Sequence, residues 1–297
     1  VSRQRPPLII LTCPRSFSSV VTNMLGQHPR LYAFPEMNLF VGQTVGELLA
    51  LFRLVRPRSL DGLCRAVAEL ELGAQTEEGV TEAQRWLEAH RAWSGRQVLE
   101  HLASHLGEAI WIDKSPSTVI VRRGLENALA AFPEAHFLHL TRHPISTCLS
   151  IHRLAESTRL PALAGPARDP EDLWHGTNAS VSRLARRLPP GQYMQVRGED
   201  VLGEPALFLP QVCEWLDVGC DAGALEAMRH PERSPYARLG PASAPFGNDP
   251  NFLRNPGYTG RPIVLPTLDA PLEWRAAAAA RRLRPATAEL ARQYGYV

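Results

Sequence analysis

The sequence predicts an α/β fold: a parallel sheet flanked by helices, with a helical insertion. Three observations carry the prediction. Short apolar runs recur along the chain, each too brief for a buried helix. Most are followed by a polar loop and then by apolar residues at helical spacing, the alternation that builds parallel sheets. Residues from about 44 to 108 show helical spacing and no strand signal.

Taken in order, Leu8–Leu11 reads as a buried parallel strand ending in Thr12-Cys13-Pro14. The polar stretch Arg15–Ser19 follows. Val20, Val21, Met24 and Leu25 then recur at helical spacing, and Gly26 and Pro29 end that helix. Leu31–Phe34 is a second short apolar segment, closed by Pro35-Glu36. In the insertion, Leu48, Leu49, Leu51, Phe52 and Val55 mark one helix. Trp86, Leu87 and His90, then Val98, Leu99, Leu102 and Leu106, mark others. Ala109–Ile112 is another strand, ending at Asp113-Lys114-Ser115-Pro116, and a helix is predicted over 118–131. His136–Thr141 is a fourth strand. It runs into Arg142-His143-Pro144, where proline suits the first turn of a helix. Tyr193–Val196 is a fifth strand, with a helix near 205–216. Nine prolines fall between His230 and Pro271, which predicts an irregular lid, since a loop so long is often functional. Trp274–Arg284 is predicted helical and broken by Pro285, with a short final helix to Gln293. The whole chain, 1–297, is expected to form one domain.

Composition excludes several classes. With 44% hydrophobic and 21% charged residues, the chain is not intrinsically disordered. A net charge of +2, from 32 basic and 30 acidic residues, gives no footprint for nucleic acid or a membrane surface. No apolar run approaches the roughly 20 residues of a membrane span. Pro6, Pro7 and Thr12 interrupt the N-terminal apolar segment, so no signal peptide is expected. The first residue is Val1 rather than methionine, which suggests trimming or excision from a longer polypeptide. Five scattered cysteines without a C-x-x-C pair read as free thiols in a reducing compartment, the cytoplasm. The sequon Asn178-Ala179-Ser180 is weak evidence the other way. Lys114 is the only lysine among the 32 basic residues; the arginine excess reflects coding composition, which singles out that lysine.

Cys13-Pro14-Arg15-Ser16-Phe17-Ser18-Ser19 lies between the first strand and its helix, where α/β folds bind phosphates. The helix N-terminus offers unpaired N–H groups and a partial positive charge. Serine hydroxyls add donors, and Arg15 can make a charge-assisted contact to a phosphate or sulfate. The loop has neither the glycines nor the lysine of a Walker A motif, which disfavours an ordinary kinase or ATPase. Cys13 lies two residues before Arg15, too close for a cysteine-phosphatase cradle. Simple helix capping by the serines remains an alternative. Arg142 closes the fourth strand, and Ser150 follows eight residues later on the next helix.

Arg15-Ser16, Lys114-Ser115-Pro116, Arg142 with Ser150, and Arg197-Gly198-Glu199-Asp200-Val201-Leu202 appear in order on strand–loop–helix contexts. In this the chain resembles the sulfotransferases that use 3′-phosphoadenosine 5′-phosphosulfate (PAPS), across about residues 8–216. The bacterial members, and the tyrosylprotein type with its arginine-to-glutamate spacing, are the nearest pattern. The resemblance implies a P-loop-like sheet and sulfuryl transfer to a hydroxyl, releasing adenosine 3′,5′-bisphosphate without a metal. Arg15, Ser16, Phe17, Ser18 and Ser19 would hold the 5′-phosphosulfate, and Arg142 and Ser150 the 3′-phosphate. Glu36, 21 residues after Arg15, would be the general base, and Lys114 would stabilise charge on the bridging and sulfuryl oxygens. Two departures stand out: Phe17 replaces a glycine frequent in the family, and Gly198 replaces the tyrosine of its Y-E-D-L segment. Asn255, Tyr258 and Arg261 are candidates for closing over the nucleotide.

Two clusters are discounted. His136, His139 and His143 resemble ligand spacing, but His136 and His139 lie on opposite faces of one strand. Trp86 and Trp93, seven apart, are read as sharing a helix face in core or lid. The acceptor is expected to be a small molecule, a lipid or a carrier-bound hydroxyl, walled by the insertion and the proline-rich stretch. The rival readings are a nucleotide-binding regulatory module without transfer activity and, further off, a P-loop-like kinase.

Overall fold

The computed structural model describes residues 5–158, 169–260, 263–275 and 281–297. Its centre is a parallel five-stranded sheet in the order β2-β3-β1-β4-β5. The strands are β1 Leu8–Thr12, β2 Leu31–Ala33, β3 Ile110–Asp113, β4 His136–Thr141 and β5 Tyr193–Arg197. β1 pairs with β3 on one side and with β4 on the other, from Leu8 opposite His136 to Thr12 opposite Leu140. The chain therefore leaves β1 for one edge and later returns to build the other. That reversal opens a crevice at the carboxyl ends of β1, β3 and β4, the usual ligand position in open parallel sheets.

Helix α1 (Ser18–Leu25) follows β1. The insertion holds α2 (Val45–Val55), α3 (Asp61–Leu72), α4 (Glu77–Ala89) and α5 (Gly95–Ala103). Its helices start where side chains can cap them: Thr44 accepts from the Glu47 N–H, Thr76 from that of Gly79, and Ser94 forms a capping box with Gln97. The predicted helix over 118–131 is two helices, α6 (Ser117–Ile120) and α7 (Gly124–Ala131). Val121 turns extended between them, and Gly124 abuts the Thr118 carbonyl where a Cβ would stand 2.3 Å away. Trp86 and Trp93 do not share a helix: α4 stops at Ala89, and the two rings meet edge-on at 5.5 Å across the turn that follows.

The remaining helices among the described residues are α8 (Pro144–Thr158), α9 (Pro170–Ala185), α10 (Gly198–Gly203), α11 (Pro205–Trp215), α12 (Ala222–Met228), α13 (Pro250–Arg254) and α14 (Pro285–Gln293). Among its described residues the proline-rich stretch is largely irregular, with only a 3₁₀ turn at Pro231–Arg233 and the short α13. The predicted helix Trp274–Arg284 lies partly outside the described residues, and its described ends are not helical. Among the described residues no helix is long and apolar enough to cross a membrane. The five cysteines are unpaired.

Alternation along the strands sorts the core into two layers. Ile9, Leu11, Trp111 and Phe137 pack with the insertion helices. Leu8, Ile10, Ile112, Leu138 and Leu140 pack with Val21, Met24, Val201, Leu209 and Val212 of the opposite helices. Each such aliphatic side chain contributes about 1.5–3 kcal/mol by leaving water. A third cluster ties the C-terminus back over β4: Leu290, Tyr294 and Tyr296 pack with Cys13, Ile145 and Trp174.

Candidate active site

The loop after β1 turns sharply into α1. Arg15 and Phe17 both hold positive φ, 68° and 62°. Left-handed backbone is unfavourable for residues with a Cβ, so the surrounding packing must enforce it. The turn brings the first N–H groups of α1, which have no intrahelical partner, to the end of the sheet. Ser18 and Ser19 open the helix and are buried. The Ser16 hydroxyl is buried without a hydrogen-bond partner among the described residues.

Lys114, just past β3, is completely buried and reaches across the crevice. Its Nζ donates to Glu36 Oε1 at 2.5 Å, to the Ser19 hydroxyl at 3.1 Å and to Asn248 Oδ1 at 3.3 Å. A buried ammonium is costly unless its protons are used, and these three acceptors use them. Glu36 is held by its backbone: its N–H donates to the Gly247 carbonyl at 2.6 Å. Gly62, in the first turn of α3, lets the chain approach, because a Cβ there would stand 2.3 Å from the Glu36 carbonyl oxygen. The Glu36 side chain remains 28% exposed while Lys114 is sealed, so the carboxylate faces the entry to the crevice. Asp113 lies beneath, its carboxyl pushed up to about 7 by burial, against the pull of the Ser115 hydroxyl and of Lys114.

The second half of the crevice holds two arginines, Arg15 and Arg142. Arg15 Nε donates to the Ser150 hydroxyl at 3.1 Å, and the same side chain forms an ion pair with Asp249. Arg142 donates to the Arg15 carbonyl at 2.6 Å and lies over the Phe17 ring, 4.1 Å from its centroid. Burial, with the neighbouring Arg15, lowers Arg142 to about 10 against the opposing pull of Glu199. Its Nε has no hydrogen-bond partner among the described residues. The backbone around Arg142 is fixed from behind: Trp174 donates its indole N–H to the Arg142 carbonyl at 2.9 Å, and Glu199 accepts from the His143 N–H at 2.8 Å. Glu199 also accepts from the Tyr296 hydroxyl at 3.0 Å.

The structure thus gathers Arg15, Ser16, Phe17, Ser18, Ser19, Glu36, Lys114, Arg142 and Ser150 at one sheet edge. One relationship differs from expectation. Ser150 accepts from Arg15, and the two arginines touch, so the two anion pockets form one continuous strip. The departures at 17 and 198 are linked. A Cβ on Gly198 would stand 3.0 Å from the Phe17 ring, so the aromatic group absent at 198 is present at 17 in the adjoining space. The histidines support no shared metal centre: His139 is buried between Tyr193 and Asn178, and His143 packs on Tyr296. Tyr258 donates to the Leu202 carbonyl at 2.7 Å beside an open depression of about 590 Å³ that Gly203, Arg229 and Gly260 also line. Asn255 ends α13 as its C-cap, and Arg261 lies outside the described residues. Sequence reasoning missed Asn248, Asp249 and Tyr296. Only the Gly247-Asn248-Asp249 turn inside the proline-rich stretch marked the first two, and nothing local marked Tyr296.

A family model described as the sulfotransferase family matches residues 6–222. No curated protein matches the sequence. Among solved structures, the chain is similar to the sulfotransferase domain of the olefin synthase of Synechococcus PCC 7002. The two are 27% identical with a TM-score of 0.75, over 100% of this chain and 98% of that one. It is also similar to the sulfotransferase domain from the curacin biosynthetic pathway, at 23% identity and TM-score 0.76, over 100% of this chain and 99% of that one. The second likeness speaks to the fold alone. With the family match running from ahead of β1 to beyond α11, this chain belongs to the sulfotransferase family.

Proposed function

We propose that this chain, acting as one domain in the cytoplasm, transfers a sulfuryl group from PAPS to a hydroxyl of a small-molecule, lipid or carrier-bound acceptor. The single observation that carries the reading is Lys114, whose ammonium joins Glu36 to Ser19 at the mouth of the anion loop. The residues present suit a donor with two anionic ends. The Ser16 hydroxyl and Arg142 Nε are buried donors that lack acceptors among the described residues. When bound, PAPS supplies the activated sulfuryl group.

The chain's own residues then divide the work. The N–H groups of α1 with Ser16, Ser18 and Ser19 hold the 5′ end, and Phe17 shapes the loop. Arg142 and Ser150 hold the 3′-phosphate, with Arg15 reaching between the two ends. Glu36 accepts the acceptor's hydroxyl proton as the new oxygen–sulfur bond forms. Lys114, already desolvated, stabilises the negative charge that develops on the departing phosphate oxygen. The acceptor enters beside the insertion, where a cavity of about 190 Å³ is lined by Leu49, Leu60, Cys64 and Leu87 on one part and by Arg53, Arg58 and Gln84 on another. Asp61 also lines it, and its neighbour Gly62 abuts Glu36. This mixed lining suits an acceptor with both an apolar and a polar part. The likeness to a domain of an olefin synthase supports an acceptor that is a biosynthetic intermediate.

The test is thermal unfolding with adenosine 3′,5′-bisphosphate against ATP with magnesium, followed by an acceptor screen with labelled donor. Stabilisation by the bisphosphate and label transfer are expected. Stabilisation by ATP alone would overturn the reading.

A further inference from the structure

A second polar cluster lies in the insertion, apart from the crevice. His101 stands near the end of α5, and His105 lies four residues on, in the 3₁₀ turn Ser104–Leu106 that continues the helix. That spacing puts both imidazoles on one face. Glu71, in the last turn of α3, points between them. Its Oε2 is 2.8 Å from His101 Nε2 and 3.0 Å from His105 Nε2.

We propose that Glu71, His101 and His105 form a binding site for a divalent transition-metal ion of the zinc class, separate from sulfuryl transfer. The three ligand atoms lie within 4.8 Å of one another. Tetrahedral zinc with nitrogen and oxygen ligands at about 2.0–2.2 Å requires ligand–ligand separations of about 3.3–3.5 Å. The two measured separations fall only a few tenths of an ångström short, so small side-chain rotations admit an ion. Two imidazoles and one carboxylate are a borderline donor set that favours zinc over magnesium. The cluster is reachable: the side chains of Glu71, His101 and His105 are 23%, 34% and 38% exposed, which leaves water a fourth position. The His101 ring is steadied by Trp86 and Trp93, at 5.4 Å and 5.5 Å between centroids. An ion there would join α3 to α5 and brace the insertion.

The test uses the full chain after chelator treatment, titrated with zinc by calorimetry and followed by thermal unfolding, with magnesium as control. One zinc ion per chain and a raised Tm are expected, with no response to magnesium. His101→Gln and His105→Gln, which keep a hydrogen-bonding group near Glu71, are each expected to weaken zinc binding at least tenfold. Cobalt substitution is expected to give a spectrum without thiolate charge-transfer bands. Absence of zinc binding, binding unchanged in the double variant, or strong thiolate bands that place the ion on cysteines would each overturn the proposal.

Discussion

The two ends of the crevice are built on different electrostatic plans. At the Glu36 end, one buried cation meets three acceptors, and every proton of Lys114 is used. At the arginine end, Arg142 donates to the Arg15 backbone carbonyl, both guanidinium groups are lowered by burial, and among the described residues buried donors stay unmatched. The first end is complete without a ligand, as expected of groups that must be oriented before charge develops. The second, although Asp249 pairs with Arg15, leaves buried donors that a bound anion would satisfy. Changes at the first end are therefore expected to slow turnover, and changes at the second to weaken nucleotide binding.

The sharpest way to break this contrast is Glu36→Gln. It keeps the shape and an acceptor for Lys114 but removes the proposed base. A fall in kcat of about 10²–10⁴-fold is expected, with adenosine bisphosphate affinity held within about threefold by calorimetry. Lys114→Met follows, with kcat expected to fall by about 10²–10³-fold, the range for losing one preorganised charge-stabilising donor. Equal losses in affinity and turnover for either variant would show that the two ends do not act separately.

At the other end, Arg142→Ala is expected to weaken bisphosphate binding by about 10–100-fold, the scale of a lost hydrogen bond to a charged group. Turnover at saturating donor should change little. Arg142→Lys is not expected to restore binding, because a point charge cannot reproduce the planar stack on Phe17. Asp249→Asn gives a smaller effect of opposite sign. Asp249 pairs with Arg15 while capping α13 through the Asn251 N–H at 2.9 Å. Asparagine keeps the cap and removes the competing carboxylate. Bisphosphate binding is expected to tighten by a few fold, and weaker binding would mean that Asp249 orients Arg15 rather than competing with the donor.

The same contrast explains what was legible in the sequence. The strands and the loops after them were readable because apolar runs and polar turns are local signals, and Lys114 stood out as the sole lysine. The partners of those residues were not readable. Asn248 and Asp249 come from an irregular stretch more than 130 residues after Lys114, and Tyr296 from the far end of the chain. Tertiary closure, which no local period encodes, brings them in. The exchange of ring and hydrogen between Phe17 and Gly198 shows the same limit: each looked like a separate departure until the backbone placed one against the other. The split of the 118–131 helix leaves little local signal, because Val121 and Gly124 weaken helix only mildly, and the fit of Gly124 against the Thr118 carbonyl is visible only in three dimensions.

The smallest predicted effect concerns what the completed end costs the fold. Asp113 is buried next to Lys114, and its folded pKa is raised from 3.8 to about 7. The folded state therefore holds a proton that the unfolded chain has already released across that interval. Where the folded state binds more protons, stability falls as pH rises. This contribution is fully present below about pH 4 and is lost by about pH 7. Asp113→Asn removes the titration while keeping a carbonyl for the Ser115 hydroxyl, which donates to Oδ1 at 3.1 Å. The drop in Tm between pH 5 and pH 8 is expected to shrink by a few degrees in the variant. Asp61 and Glu199, also raised by burial, remain to give a residual slope of the same sign. An unchanged slope would place the cost of assembling the Glu36 end elsewhere than in this carboxyl.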